Sequence, residues 1–106
     1  MNLGIVIYSK NTETVWNAFR LANFSLKKGD SSSVFLMAEG VEAETLSNDQ
    51  YQIKKQMELF LSNGGILFAC GTCIKIRKKN SSTLCPISTM ADLYEIINNA
   101  DKIISF

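Results

Sequence analysis

The segment FACGTC, residues 68–73, places two of the chain's three cysteines three residues apart, where a run of apolar residues ends. Thiols at this spacing serve as metal ligands, as a disulfide switch or as carriers of sulfur, and they also occur as plain core packing. Which of these roles the two cysteines can have depends on the strand and the helix that position them.

Cys70 ends the apolar run Ile-Leu-Phe-Ala-Cys, which predicts that it lies at the carboxyl end of a strand, with a helix starting within residues 71–74. The first turn of a helix presents unpaired N–H groups and the positive end of the helix dipole, which favour a thiolate. Lys75, Arg77, Lys78 and Lys79 add positive charge, and Gly71 leaves the sulfur uncovered. This position favours a reactive nucleophile, the alternative being a small apolar residue that completes a buried strand.

Cys73 has two interpretations: it faces inward from the first helical turn, or it forms a disulfide with Cys70 and so resets it. Structural zinc sites use four ligands, and beyond these two cysteines the chain offers Cys85 and no histidine, so neither a metal nor another cofactor is predicted. A thioredoxin-like dithiol fits the C-x-x-C spacing but not the order of elements, because the motif follows the third predicted strand. The basic cluster at residues 75–79 is interpreted as a solvated helix face.

Composition predicts one globular domain over residues 1–106. Of these residues, 46% are apolar and 20% are charged, and the net charge is +1. The charge gives no basis for binding nucleic acid or a membrane surface. An odd number of cysteines and an N-terminus without a signal-peptide pattern predict the cytoplasm, where thiols stay reduced.

Apolar runs and helical periodicities alternate along the chain. The strongest runs are continuous rather than alternating, as is typical of parallel strands covered on both faces. The predicted order is βαβαβαβαβ, an α/β sandwich. Strands are predicted at residues 3–8, 33–38, 66–70, 84–87 and 102–106, and helices after a cap at Asn11 or Thr12, from about 49 to 62, from 71–74, and after a cap at Ser88 or Thr89. The apolar residues at helical spacing, predicted to face inward, are Val15, Phe19, Ala22 and Leu26 on the first of these helices and Leu93, Ile96, Ile97 and Ala100 on the last. Residues 39–48 are predicted to form an irregular surface loop.

The succession IVIYS, LKKG, VFLMAEGVE, ACGTC and STMADLYEIINNADKIISF resembles the DsrE/DsrF-like family of sulfur-relay proteins over nearly the whole chain. The resemblance implies a three-layer α/β/α sandwich with a five-stranded parallel sheet, and assembly as a homotrimer, a hexamer or a hetero-hexamer. It also implies that Cys70 accepts sulfane sulfur as a persulfide and passes it to a partner thiol. Cys73 matches a second cysteine of some relatives. Residues 77–80, Arg-Lys-Lys-Asn, replace the small-Gly pair that ends the third helix in other relatives.

The function expected from the resemblance is that of a sulfur carrier, whose partners are sulfur donor and acceptor proteins or small persulfides. The alternatives are a non-catalytic oligomeric module that binds a partner or ligand, and a redox switch through the C-x-x-C pair. A homo-oligomer, trimeric or hexameric, is expected because four aromatic residues lie outside the predicted inward faces of the helices, and aromatic residues are enriched at subunit interfaces. They are Trp16, Phe24, Tyr51 and Tyr94.

Overall fold

The computed structural model describes residues 1–77 and 86–106, which form strands alternating with helices. The elements are β1 (Asn2–Ile7), α1 (Thr12–Lys27), β2 (Ser31–Leu36), a 3-10 helix (Ala38–Leu46), α2 (Ile53–Ser62), β3 (Ile66–Cys70), α3 (Gly71–Ile76), β4 (Ile87–Ser88), α4 (Met90–Asn99) and β5 (Lys102–Ser105). All strand pairs are parallel, and the sheet order is β4-β3-β2-β1-β5. The predicted α/β sandwich with a five-stranded parallel sheet is confirmed.

Two hydrophobic clusters cover the two faces of the sheet. The larger lies between the sheet and helices α1 and α2, and includes the fully buried Phe19, Met57 and Phe60. The smaller lies on the α4 side and is built from Phe35, Cys70 and Ile96. Cys70 therefore belongs to the smaller cluster, at the edge of the sheet where the strands end.

Helix α1 follows the local signals of its sequence. The Asn11 side chain accepts the N–H of Thr14 at 3.0 Å, as an N-cap does, and Val15 and Phe19 are buried at helical spacing. Gly29 follows the helix with φ of +94°, a left-handed conformation that glycine adopts without strain. At α4 the Asp92 carboxylate accepts the N–H of Thr89 at 2.9 Å, so Thr89 is the cap there.

Several predicted boundaries are wrong. Residues 39–48 are not an irregular loop, because the 3-10 helix occupies most of them and buries Gly40 and Ala43. Helix α2 begins at Ile53 rather than near residue 49, and β2 begins and ends two residues before its predicted limits. Ile97, predicted to face inward, is exposed. Of the predicted strand at 84–87, residues 84 and 85 lie outside the described residues, and β4 continues to Ser88.

Candidate active site

Cys70 is the last residue of β3, an inner strand, and also the N-cap residue of α3. It pairs with Ser88 in the parallel register of β3 and β4. Its side chain is only 3% exposed, yet it lines a surface pocket of about 340 Å³. The rest of the lining comes from the start of α3 and from the β4–α4 junction: Gly71, Thr72, Lys75, Ile87, Ser88, Thr89 and Met90. The predicted strand-end position of Cys70 is thus confirmed, and this residue forms part of the pocket wall although it is almost fully buried.

Close packing of β4 holds the pocket together. A Cβ on Gly71 would lie 2.7 Å from Ile87 Cγ2 and 3.2 Å from the Ser88 carbonyl oxygen, so any side chain at this position would push β4 away. The Ala69 N–H donates to the carbonyl of Pro86 at 3.1 Å. Gly71 therefore brings the beginnings of α3 and α4 to the same side of Cys70.

Cys73 lies one helical turn after Cys70 and packs against the same small cluster. Its Sγ accepts the backbone N–H of Ala38 at 3.2 Å. Ala38 follows β2 and has φ of +50°, a conformation that costs a non-glycine residue about 1 kcal/mol or more. The end of β2 thus presents an N–H group to the second sulfur of the C-x-x-C pair.

Arg77 ties α3 to the 3-10 helix. Its Nε donates to Glu42 Oε2 at 3.4 Å, and its Nη1 donates to the carbonyl of Cys73 at 3.4 Å. Because both side chains of the ion pair are about three-quarters buried, solvent screens it less than an ion pair on the open surface. Within the basic cluster, Arg77 therefore links α3 to the 3-10 helix and is not the solvated charge that the sequence predicted.

The electrostatics of the pair keep a proton on Cys73. Burial raises the pKa of Cys73 above its ordinary value, and its hydrogen bond and charge interaction with Cys70 raise it further. The N–H of Ala38 and the guanidinium of Arg77 act in the opposite direction and lower the pKa of Cys73, but more weakly. In the resting protein Cys73 is therefore a thiol, whose Sγ accepts the N–H of Ala38.

We expect the Cys70→Ala substitution to lower the pKa of Cys73, because it removes both contributions of Cys70 while the N–H of Ala38 stays in place. Arg77→Gln should raise the pKa of Cys73. The pH dependence of iodoacetamide alkylation at Cys73 measures both shifts, with Cys85→Ser as the common background. Identical titration curves in the presence and absence of Cys70 would show that the two sulfurs do not interact.

Within residues 1–77 and 86–106, no three cysteine or carboxylate side chains converge as metal ligands would. In the same residues, the helices are too short or too polar to form a membrane-spanning segment. Cys85 lies outside the described residues, and so do Lys78 and Lys79 of the basic cluster.

The sequence prediction named both cysteines but missed Ala38 and the β4–α4 junction. Ala38 belongs to the AEGV motif, which was used only for the resemblance. The signal available was its place two residues after the end of β2, the neighbour of β3, since the carboxyl ends of adjacent parallel strands meet at one edge of the sheet.

A parallel sheet with helices on both faces and a cysteine at the carboxyl end of an inner strand defines a class of α/β thiol proteins. The sequence model of the DsrE/DsrF-like family matches residues 1–106, and the chain belongs to that family.

The chain is 26% identical over 100 residues to an uncharacterized protein of Methanopyrus kandleri, a match that covers 89% of this chain and 83% of the relative. The crystal structure of the ychN protein from E. coli has the same fold, with a TM-score of 0.81, 22% identity and full coverage of both chains. A conserved protein of unknown function from Bacteroides thetaiotaomicron matches with a TM-score of 0.81 and 25% identity, covering 99% of this chain and 94% of the other.

Proposed function

We propose that this protein is a cytoplasmic, single-domain sulfur carrier in which Cys70 holds sulfane sulfur as a persulfide. The Cys70 thiolate attacks the sulfane sulfur of a donor persulfide, R–S–SH, forms a new S–S bond and releases the donor thiol. The thiolate of an acceptor then attacks the terminal sulfur and restores Cys70. Both steps are thiol exchange, so their rates depend on thiolate character and on access to the sulfur.

The observation that carries this proposal is the position of Cys70 at the end of an inner strand, on the wall of the 340 Å³ pocket. A persulfide adds one sulfur atom, and the pocket offers space for it together with the end of a small donor. Lys75 lines the same pocket and provides positive charge for an anionic donor or for the persulfide itself. Membership of the DsrE/DsrF-like family supports the same chemistry.

Cys73 assists this reaction as a hydrogen-bond donor. It lies three residues after Cys70 in the same side-chain cluster, a position from which its S–H group can donate to the sulfur that attacks. It touches the reacting atom without itself receiving the sulfur, which separates the roles of the two cysteines.

Mass spectrometry after incubation with glutathione persulfide tests the proposal. We expect one additional sulfur atom on the peptide that contains Cys70, in the Cys85→Ser and Cys73→Ser variants alike. Cys70→Ser is the matched control, and it should take up none. Sulfur found only on Cys73, or none on a Cys70 thiol that was free beforehand, would exclude the carrier mechanism.

The same proposal includes a homo-oligomer, a trimer or a dimer of trimers. Helix α4 carries an exposed apolar stripe at helical spacing, formed by Met90, Tyr94 and Ile97, which are 53%, 67% and 49% exposed. Ile87 on β4 is also exposed. Of the four aromatic residues assigned to an interface from the sequence, Phe24 and Tyr94 are exposed, whereas Trp16 and Tyr51 pack edge to face at 5.2 Å. An apolar stripe of this kind favours burial against a second copy.

A second candidate is a module that binds a partner without catalysis, and the 3% exposure of Cys70 favours it. Thiol titration of the native Cys85→Ser protein separates the two candidates. A carrier requires Cys70 to react with small disulfides near neutral pH faster than glutathione does, whereas a packed thiol reacts only upon unfolding.

A further inference from the structure

We propose that Cys73 discharges the Cys70 persulfide when no acceptor arrives, releasing the sulfur as hydrosulfide and leaving a Cys70–Cys73 disulfide. This inference rests on the proposed function, because it begins from a sulfur already held by Cys70. It assigns to the C-x-x-C pair a second outcome besides relay to an acceptor.

The geometry of α3 permits the disulfide. Cys70 occupies the N-cap and Cys73 the third helical position, and both belong to one side-chain cluster. Residues three apart on a helix have Cβ atoms about 5–6 Å apart, and small movements of the first turn bring them to the roughly 4 Å of a disulfide.

The surroundings of Cys73 stabilise its thiolate once the charge on Cys70 has moved. In the resting state burial and, after it, the neighbouring Cys70 oppose a thiolate on Cys73, while Ala38 and Arg77 favour negative charge there. When Cys70 carries a persulfide, any negative charge lies mainly on the terminal sulfur, one S–S bond further from the Cys70 Sγ. The opposition to a Cys73 thiolate weakens, while the N–H of Ala38 stays fixed at 3.2 Å.

The reaction balances without an external oxidant. The Cys73 thiolate attacks the Sγ of Cys70 in Cys70–Sγ–SH, one S–S bond breaks, one S–S bond forms, and hydrosulfide leaves. The sulfane sulfur is reduced to sulfide, and the two cysteine sulfurs are oxidised to the disulfide. The protein returns to the dithiol through exchange with an external thiol, such as a small-molecule thiol or a dithiol protein.

The consequence is a carrier with a limited holding time. In transfer, the acceptor thiolate attacks the terminal sulfur of the persulfide. In discharge, the Cys73 thiolate attacks the inner sulfur, so the two reactions compete for the same persulfide. Sulfur that finds no acceptor leaves as sulfide and does not remain as a reactive persulfide.

The test begins with the Cys85→Ser protein, which removes the third thiol. The protein is loaded with glutathione persulfide, separated from the donor by gel filtration, and kept under argon without an acceptor. Sulfide is measured as methylene blue, and the Cys70–Cys73 disulfide by mass spectrometry. We expect one sulfide per disulfide formed, with the same rate constant for both.

The matched variant is Cys73→Ser in the same background. It should hold the persulfide on Cys70 and release sulfide only at the rate of glutathione persulfide alone. Arg77→Gln retains both cysteines and should slow discharge roughly twofold to fivefold, the effect of one partly exposed charge. It also checks that the Cys73→Ser result does not come from misfolding.

Equal persistence of the persulfide with and without Cys73 would overturn the inference while leaving the proposed function intact. Sulfide release without a Cys70–Cys73 disulfide would overturn it as well. Failure of the Cys73→Ser variant to take up any sulfur would instead contradict both the proposed function and this inference.

Discussion

Replacing Gly40 with alanine should lower the free energy of unfolding by about 3 kcal/mol or more, at the upper end of the cost of overpacking a core. A Cβ on Gly40 would overlap the carbonyl oxygen of Ile7, which is backbone at the end of β1 and cannot rotate away. The 3-10 helix would have to move off the sheet. Urea denaturation followed by circular dichroism measures the loss.

Gly29→Ala is the matched control, because no atom lies within 4 Å of the added methyl group there and only the positive φ opposes alanine. Its cost should be about 1 kcal/mol. The Gly40 substitution should also displace Ala38, two residues earlier, and thereby raise the pKa of Cys73 through loss of its N–H bond. Equal destabilisation by the two alanines would contradict the close contact between the 3-10 helix and β1.

Tyr94→Glu should convert the proposed homo-oligomer into a monomer. The substitution places a charge in the middle of the apolar stripe on α4, where association would have to remove it from water at a cost of several kcal/mol. The fold should be unaffected, because Tyr94 is largely exposed in the single chain. Light scattering across micromolar concentrations distinguishes a subunit of 11.8 kDa from a multiple of it.

Leu59→Glu provides the control for this experiment. Leu59 is also an exposed apolar residue in the middle of a helix, but it lies on α2, on the opposite face of the sheet. It should leave the oligomer unchanged. A wild-type chain that is monomeric at all these concentrations would refute the assembly itself, and dissociation by Leu59→Glu would place the interface elsewhere.

The sequence was sufficient for the parts of the molecule that depend on local periodicity. The spacing of Val15, Phe19 and Ala22 predicted the buried face of α1, and the apolar run before Cys70 predicted its strand-end position. Both signals arise within a few residues, so no tertiary information is needed to interpret them.

The surroundings of Cys73 could not be predicted, because they depend on contacts between distant segments. The hydrogen bond from Ala38 and the ion pair with Glu42 each join residues 35 positions apart. The 3-10 helix was missed for a related reason: its sequence has no amphipathic periodicity, and its conformation depends on packing of Gly40 and Ala43 against the sheet. The conformation of this segment is therefore determined by tertiary packing, because its local sequence favours no particular secondary structure.

Strand β1 lies between β2 and β5, although β5 is the last strand along the chain. Gly4 pairs with Ile103, so the hydrogen bonds on one side of β1 are made with residues about a hundred positions away. Contacts of such long sequence separation slow folding, because the entropy of closing the loop is lost before the contact is gained. During synthesis on the ribosome, the α1 side of the sheet can assemble around β1, β2 and β3 while one edge of β1 remains open. We therefore expect docking of β5 to be a late folding step, with the open edge of β1 as the place where premature association between chains begins.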